Sequence, residues 1–284
     1  MIKIAFAEPM DVEWQEWRQE CTAAREVLVE RVARGEKPRA TELYKDARMA
    51  RIYKSDGAPF YGKCAYCECD IRVNHPGDIE HFRPKNGVTE ENRQPVQVLA
   101  ADGSATPHPG YYWLAYEWRN LLFACEDCNR PSTGKTAGRR IGKWDQFPVR
   151  EFRAVRPGEE EAEEPLLINP VEEDPADHLE VDDSGVIIAK TDRGQACINI
   201  FGLNVREALV NARRKCIKDT NNELVVTLLA LLTSSMNDEE QPREHLAWFE
   251  MIRSGTAAYS AAGRVALRQG KEHLARLARF ADNL

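Results

Sequence analysis

Two Cys-x-x-Cys pairs, Cys64 with Cys67 and Cys125 with Cys128, constrain this chain more than any other feature. Each pair brings two thiolates to one turn, and two such turns supply the four soft ligands of a tetrahedral structural zinc. The spacing demands long-range closure: 57 residues lie between Cys67 and Cys125, so the fold must return across an inserted element to join the knuckles. Cys69 offers a second reading of the first knuckle, but the i, i+3 pair matches its counterpart at Cys125 and Cys128. Paired spacing, with no secretion signal in the opening MIKIAFAEPM, favours metal over disulfides. Cys21, Cys197 and Cys216 lie singly in helical-looking sequence and are expected to pack as core residues.

The 284 residues allow one or two domains. No apolar run approaches the roughly 20 residues of a membrane span, so a cytoplasmic protein with no membrane partner is expected. A net charge of −7 looks unsuited to gripping a polyanion, but twelve Asp or Glu and no Lys or Arg fall between Pro157 and Asp183. The remainder carries +5, so charge does not exclude nucleic acid. The acidic run itself reads as a solvated linker.

Four stretches follow along the chain. Residues 1–60 form an N-terminal helical segment: apolar positions at helical spacing from Asp11 to Arg34 end at Gly35, and a second helix is expected from Thr41, its cap, to Lys54. Neither carries evident chemistry. Residues 61–156 hold both knuckles, the segment DIEHFRPK and the aromatic YYWLAYEW; within them 86–110, rich in Pro, Gly, Asn and Asp, reads as an inserted loop. Residues 157–202 combine the acidic linker with a short hairpin at VDDSGVII, and 203–284 read as amphipathic or buried helices that pack on the functional block or dock a partner.

Asp78, Glu80 and His81, then Asn120, then Asn129 directly after Cys128, are the polar residues beside the knuckles. Alone each is weak, since a histidine next to carboxylates is about as often structural as catalytic. Together they resemble the HNH nuclease motif, whose three letters read here His81, Asn120 and Asn129. The resemblance covers roughly residues 63–143 and implies an α+β chain, mostly helical, with a ββα-metal (HNH) nuclease core stapled by the four-cysteine zinc site. More narrowly, CAYCE, IEHFRPK, YYWLAYEWRNLLFACEDCN, PLLINPVEEDPADHL and GLNVREALVNAR resemble the PtuB and retron-associated HNH proteins. That family implies bacterial antiphage defence beside an ABC-type or SMC-like ATPase of the PtuA kind, with nucleic acid, DNA rather than RNA, as the substrate.

In that motif His81 is the general base, accepting the proton of an attacking water. Asn120 braces the hairpin loop and orients His81. Glu80 and the Asn129 side-chain oxygen would hold one hard divalent ion, Mg²⁺ or another, as a catalytic cofactor distinct from the zinc. Asp78, two residues earlier, is the alternative carboxylate, because strand alternation puts Asp78 and Glu80 on one face and His81 on the other. Arg83, Lys85 and Lys135 are expected to contact phosphates, as are Arg139, Arg140 and Lys143. His75, His108, His178, His245 and His273 are not expected to act as catalyst or ligand. The competing class is a zinc-stapled adaptor that binds nucleic acid or the ATPase without cutting; an acid-histidine pair with Asn129 beside it is more than such a module needs.

Overall fold

A continuous apolar run bounded by polar residues can be buried on both faces of a strand, and Leu121–Ala124 is such a run. In the computed structural model, which describes residues 1–54, 58–72, 76–99, 103–133, 138–233 and 241–281, this segment is fully buried as strand β4. It pairs antiparallel with β1, Asp78–His81, in the register Asp78↔Ala124, Ile79↔Phe123, Glu80↔Leu122 and His81↔Leu121. One turn of helix, α3 (Glu126–Asn129), follows β4 directly. Two short strands and this turn therefore carry Asp78, Glu80, His81 and Asn129, and Asn120 ends the 3₁₀ turn before β4. Among the described residues the architecture is α+β, with helices before, between and after three separate two-stranded sheets along the sequence.

The N-terminal helix α1 (Val12–Ala33) starts where expected, with the Asp11 carboxylate accepting from Trp14 N at 3.0 Å, and it buries Trp14, Trp17, Cys21 and Leu28. The expected helix from Thr41 does not run unbroken. A 3₁₀ turn at Glu42–Lys45 gives way to α2 (Ala47–Lys54), because Asp46 leaves the helical conformation and its carboxylate accepts from Arg48 N at 2.8 Å, starting a new helix. Thr41 is anchored instead by the Tyr116 hydroxyl, which meets its backbone N at 2.7 Å.

The stretch 86–110 contains a small hairpin, β2 (Gln97–Leu99) with β3 (Ala105–Pro107), and is more than a loop. Its base is fastened by His108. The Nδ1 atom accepts from Gly110 N at 2.9 Å, so Nε2 carries the proton and donates to Ala154 O at 2.8 Å. His108 is thus a buried structural histidine.

The acidic stretch departs most from the sequence reading. Glu163 is buried and accepts from Arg83 Nε at 2.9 Å, the Tyr111 hydroxyl at 2.5 Å and Ala154 N at 2.8 Å. Glu173 pairs with Arg193 at 2.5 Å, and the hairpin of β5 (Leu179–Val181) and β6 (Ile187–Ala189) is turned by Asp182, whose carboxylate accepts from Ser184 N and Val186 N. The segment is a strap fixed to the body at Glu163 and Glu173, whose cationic partners Arg83 and Arg193 lie 80 and 20 positions away. Removing one partner of a buried ion pair costs about 3–5 kcal/mol. Glu163→Ala is therefore expected to lower stability by about that much in urea unfolding, while Glu161→Ala, at an exposed position, shifts the midpoint by less than about 0.5 kcal/mol equivalent.

Helix α4 (Asp192–Phe201) ends at Gly202, whose left-handed φ of 61° turns the chain into α5 (Glu207–Thr233). Helices α6 (Gln241–Ser254) and α7 (Ser260–Ala281) pack on α5. Phe201 stacks on Tyr66 of the first knuckle with centroids 3.9 Å apart, so the C-terminal helices share the knuckles' core.

Candidate active site and metal centre

The knuckles close as their spacing requires. The Sγ atoms of Cys64, Cys67, Cys125 and Cys128 all lie within 4.8 Å of one another, and those of Cys67 and Cys125 are 3.7 Å apart. That is far beyond a disulfide bond, but it matches the roughly 3.8 Å edge of a tetrahedron built on metal–sulfur distances of about 2.3 Å. The four cysteines can therefore hold a metal such as zinc. Cys69 is outside this set; its carbonyl instead accepts from Cys64 N at 2.9 Å and closes the turn, in which Glu68 takes a φ of 64°. In the second knuckle Cys125 O accepts from both Cys128 N and Asn129 N.

Arg206, missed by the sequence reading, completes the centre. Its buried guanidinium donates from Nη2 to Cys128 Sγ at 3.2 Å and to Phe201 O at 3.0 Å. A cation against a cluster of thiolates offsets their negative charge, and hydrogen bonds to ligand atoms orient them. The residue lies at the start of the C-terminal helical region, 78 positions from its partner, and no local signal announces it.

A cleft of about 650 Å³ opens along β1, lined by Asp78, Glu80, His81, Lys85, Asn129 and Arg130 among others. His81 is buried. Its Nε2 lies 3.0 Å from Ala115 O, and a carbonyl can only accept, so Nε2 bears the proton and Nδ1 keeps the lone pair. Burial, aided by the Lys85 charge, pushes its pKa well below the usual histidine value, so the ring is neutral. The Tyr44 ring meets it edge-on at 4.7 Å.

Asn120 has all its polar atoms engaged. The Oδ1 atom accepts from Arg83 N at 2.7 Å, and Nδ2 donates to Arg83 O and Leu114 O at 3.1 Å each. Its backbone O also accepts from Phe82 N at 2.8 Å. These bonds tie the segment leaving β1 to the one entering β4, one residue beyond His81.

The two carboxylates of β1 part company. Asp78 Oδ2 accepts from Asn129 Nδ2 at 2.9 Å, and Arg130 binds the same carboxylate through Nε at 2.9 Å and Nη2 at 2.8 Å. Glu80 is buried and meets Lys143 Nζ at 2.5 Å, while Nζ also donates to His81 O at 2.8 Å. Burial raises the Glu80 pKa and lowers that of Lys143, each shift opposed by the partner's charge. Among the described residues the cysteines are the one group of three or more His, Cys, Asp or Glu with ligand atoms so close together.

The expected phosphate contacts divide. Lys85 lines the cleft, with Nζ 4.7 Å from the Tyr44 ring centroid. Arg83 does not: its guanidinium is committed to Glu163 and to Glu160 O, on the opposite side of the hairpin. Lys143 is wholly buried under Glu80, and Arg139 donates to Asn199 Oδ1 at 3.0 Å. Lys135 lies outside the described residues. In their place, the N-terminal segment, from which no chemistry was expected, contributes Lys45 and Lys54 to the cleft wall, together with Tyr44 and Tyr53. Only the Tyr-Lys pairs before α2 and at its end hinted at this.

Gly142 fixes the strand-like run that brings Lys143 in. Its φ is 92°, a Cβ would lie 2.0 Å from Arg130 O, and its N donates to Ile200 O at 2.9 Å. No other residue fits that position.

The sequence matches a known protein over about two thirds of its length. Over 196 residues, 68% of this chain, it is 40% identical to Septu protein PtuB of Bacillus mycoides (strain KBAB4). The chain is similar to Septu protein PtuB. It covers 58% of the length of PtuB. A weaker similarity, 29% identity over 170 residues, joins it to Septu protein PtuA of the same strain, of which it covers 20%. No family model matches the chain, and no solved structure matches it.

Proposed function

We propose that this protein is a metal-dependent HNH-type phosphodiesterase acting on nucleic acid, the nuclease of a bacterial antiphage system that works with an ATPase. One observation carries the reading: a neutral histidine with its Nδ1 lone pair retained lines the same cleft as an Asp78–Asn129 pair and the cations Lys45, Lys54, Lys85 and Arg130. The similarity to PtuB supports the defence role and a PtuA-like partner.

Hydrolysis of a phosphodiester needs an activated water, charge stabilisation on the phosphoryl oxygens and an electrophile at the leaving oxygen. His81 takes the proton of the attacking water on Nδ1, and its Nε2 bond to Ala115 O holds the ring in the required tautomer. Asn120 is a positioning residue that fixes the backbone after His81. Lys45, Lys54 and Lys85 meet the phosphate backbone.

The donor set beside His81 fits a hard divalent ion, since carboxylate and amide oxygens are what such an ion selects. Asp78 and Asn129 are the contacting pair that would hold it, while Glu80, which lines the same cleft, is paired with Lys143. Arg130, which grips both Asp78 oxygens and also pairs with Glu126 at 3.1 Å, must release Asp78 for the ion to bind. Bound there, such an ion would neutralise charge on the phosphoryl group and the leaving oxygen. The four cysteines would hold zinc in a structural role.

The partner surface is assigned to the distal C-terminal helices, where Val225, Leu229, Leu246, Leu274 and Leu277 remain exposed. Isolated chain is expected to cut poorly. The test compares single-turnover cleavage by the chain co-produced with its ATPase, at increasing Mg²⁺. Asp78→Asn should raise the Mg²⁺ needed for half-maximal rate by more than about 10-fold. Leu274→Glu with Leu277→Glu should abolish co-purification and leave zinc content intact. Unchanged Mg²⁺ dependence in Asp78→Asn would remove that ligand, and wild-type co-purification by the double variant would remove the surface.

A further inference from the structure

Trp144 stands out at the mouth of the cleft. The residue is 56% exposed, whereas Trp14, Trp17, Trp113 and Trp118 are buried and Trp248 is half-buried. Its backbone lies in the left-handed region with a φ of 53°, where a bulky residue is a rare outlier. Both neighbouring bonds hold it there: Trp144 N donates to Asn129 O at 2.7 Å, and Lys143 N donates to Cys128 O at 2.8 Å. The next anchor is the Lys143 side chain, buried beneath Glu80. A flat apolar surface is thus kept out in water on a fixed base, one residue from the second knuckle and in the wall that also holds Asp78, His81 and Asn129.

Folding alone gives no reason for this arrangement, because the indole gains little burial and the conformation favours glycine. A ligand gives one. Every nucleobase has a π face, and aromatic side chains beside a cationic backbone track are how single strands are held. Lys45, Lys54 and Lys85 supply the cations across the same cleft.

We infer that Trp144 is a stacking platform for a nucleobase next to the scissile phosphate, so that the site takes single-stranded or locally unpaired nucleic acid in preference to intact duplex. The inference rests on the phosphodiesterase reading. In a paired helix both faces of each base are occupied by neighbours, and only an unstacked base can lie on the indole.

The experiment uses full-length, zinc-loaded protein in the His81→Asn background to prevent cleavage, with three probes: a single-stranded DNA oligonucleotide, the same strand carrying abasic sites, and its matched duplex. Only the intact single strand should shield the exposed indole from acrylamide quenching. Trp144→Ala should weaken binding of that strand about 5- to 150-fold, equivalent to about 1–3 kcal/mol, and leave the abasic strand and the duplex unchanged. Trp144→Phe should restore most of the loss. Trp144→Gly should unfold no earlier than wild type, since glycine accepts the backbone conformation, which separates stacking from a structural role. Equal binding of all three probes by wild type, or equal binding of the single strand by Trp144→Ala, overturns the stacking inference. If the catalytically intact protein still cleaves DNA, that failure leaves the phosphodiesterase reading standing. If neither this protein nor its complex with the ATPase binds or cleaves any of the probes, both fall together.

Discussion

Cys128→Ser is expected to release the bound metal and prevent accumulation of folded protein, the largest effect of any substitution outside the active cleft. Structural zinc contributes about 10–16 kcal/mol at neutral pH in small domains, as much as or more than the roughly 5–15 kcal/mol by which whole domains are stable. Here the centre joins segments 57 residues apart, and the core built on it includes Tyr66, Phe123 and Phe201. The Arg206 guanidinium would be left beside a site without its anionic sulfurs. Cys69→Ser, by contrast, should keep the full metal content, because Cys69 is not among the four converging sulfurs. Elemental analysis and thermal unfolding with and without a strong chelator check both. Folded, metal-free wild type with an unchanged unfolding midpoint would remove the structural role of the centre.

Replacement of His81 should have the largest effect on activity. Loss of a general base typically costs about 100- to 10,000-fold in rate. His81 is also buried against Tyr44 and bonded to Ala115 O, so His81→Ala would weaken packing as well as chemistry. His81→Asn is the cleaner variant: it keeps a polar amide at the level of Nδ1 and more of the volume than alanine, but has no titratable nitrogen and gives up the Nε2 bond to Ala115 O. Zinc content and urea unfolding should change little in His81→Asn, while cleavage falls by at least about 100-fold.

How far the sequence could carry this account is visible residue by residue. The knuckles were legible because metal geometry restricts ligands to a few spacings, and four sulfurs converge as those spacings imply. Helix α1 was legible because its periodicity and Asp11 cap are local. The break at Asp46 was not, since a helical pattern with a carboxylate inside it looks the same whether that carboxylate faces solvent or starts a new helix. Charges were the least legible. Arg83 and Lys143 lie next to the motif yet serve Glu163 and Glu80, while Lys45 and Lys54 reach the cleft from a separate segment. A side chain's partner across 63 or 80 positions is a property of the closed fold, and charge composition does not encode it.

The central claim, phosphodiester hydrolysis at the His81 cleft, is tested most directly by single-turnover cleavage of end-labelled single- and double-stranded DNA and RNA. The protein is the chain co-produced with the proposed ATPase partner, assayed with Mg²⁺, with Mn²⁺ and with chelator. The account predicts divalent-dependent cleavage by wild type that is lost on chelation of the added ion and falls at least about 100-fold in zinc-loaded, folded His81→Asn. Cleavage that persists undiminished in His81→Asn, or no cleavage of any of these polymers by the wild-type complex, would contradict it.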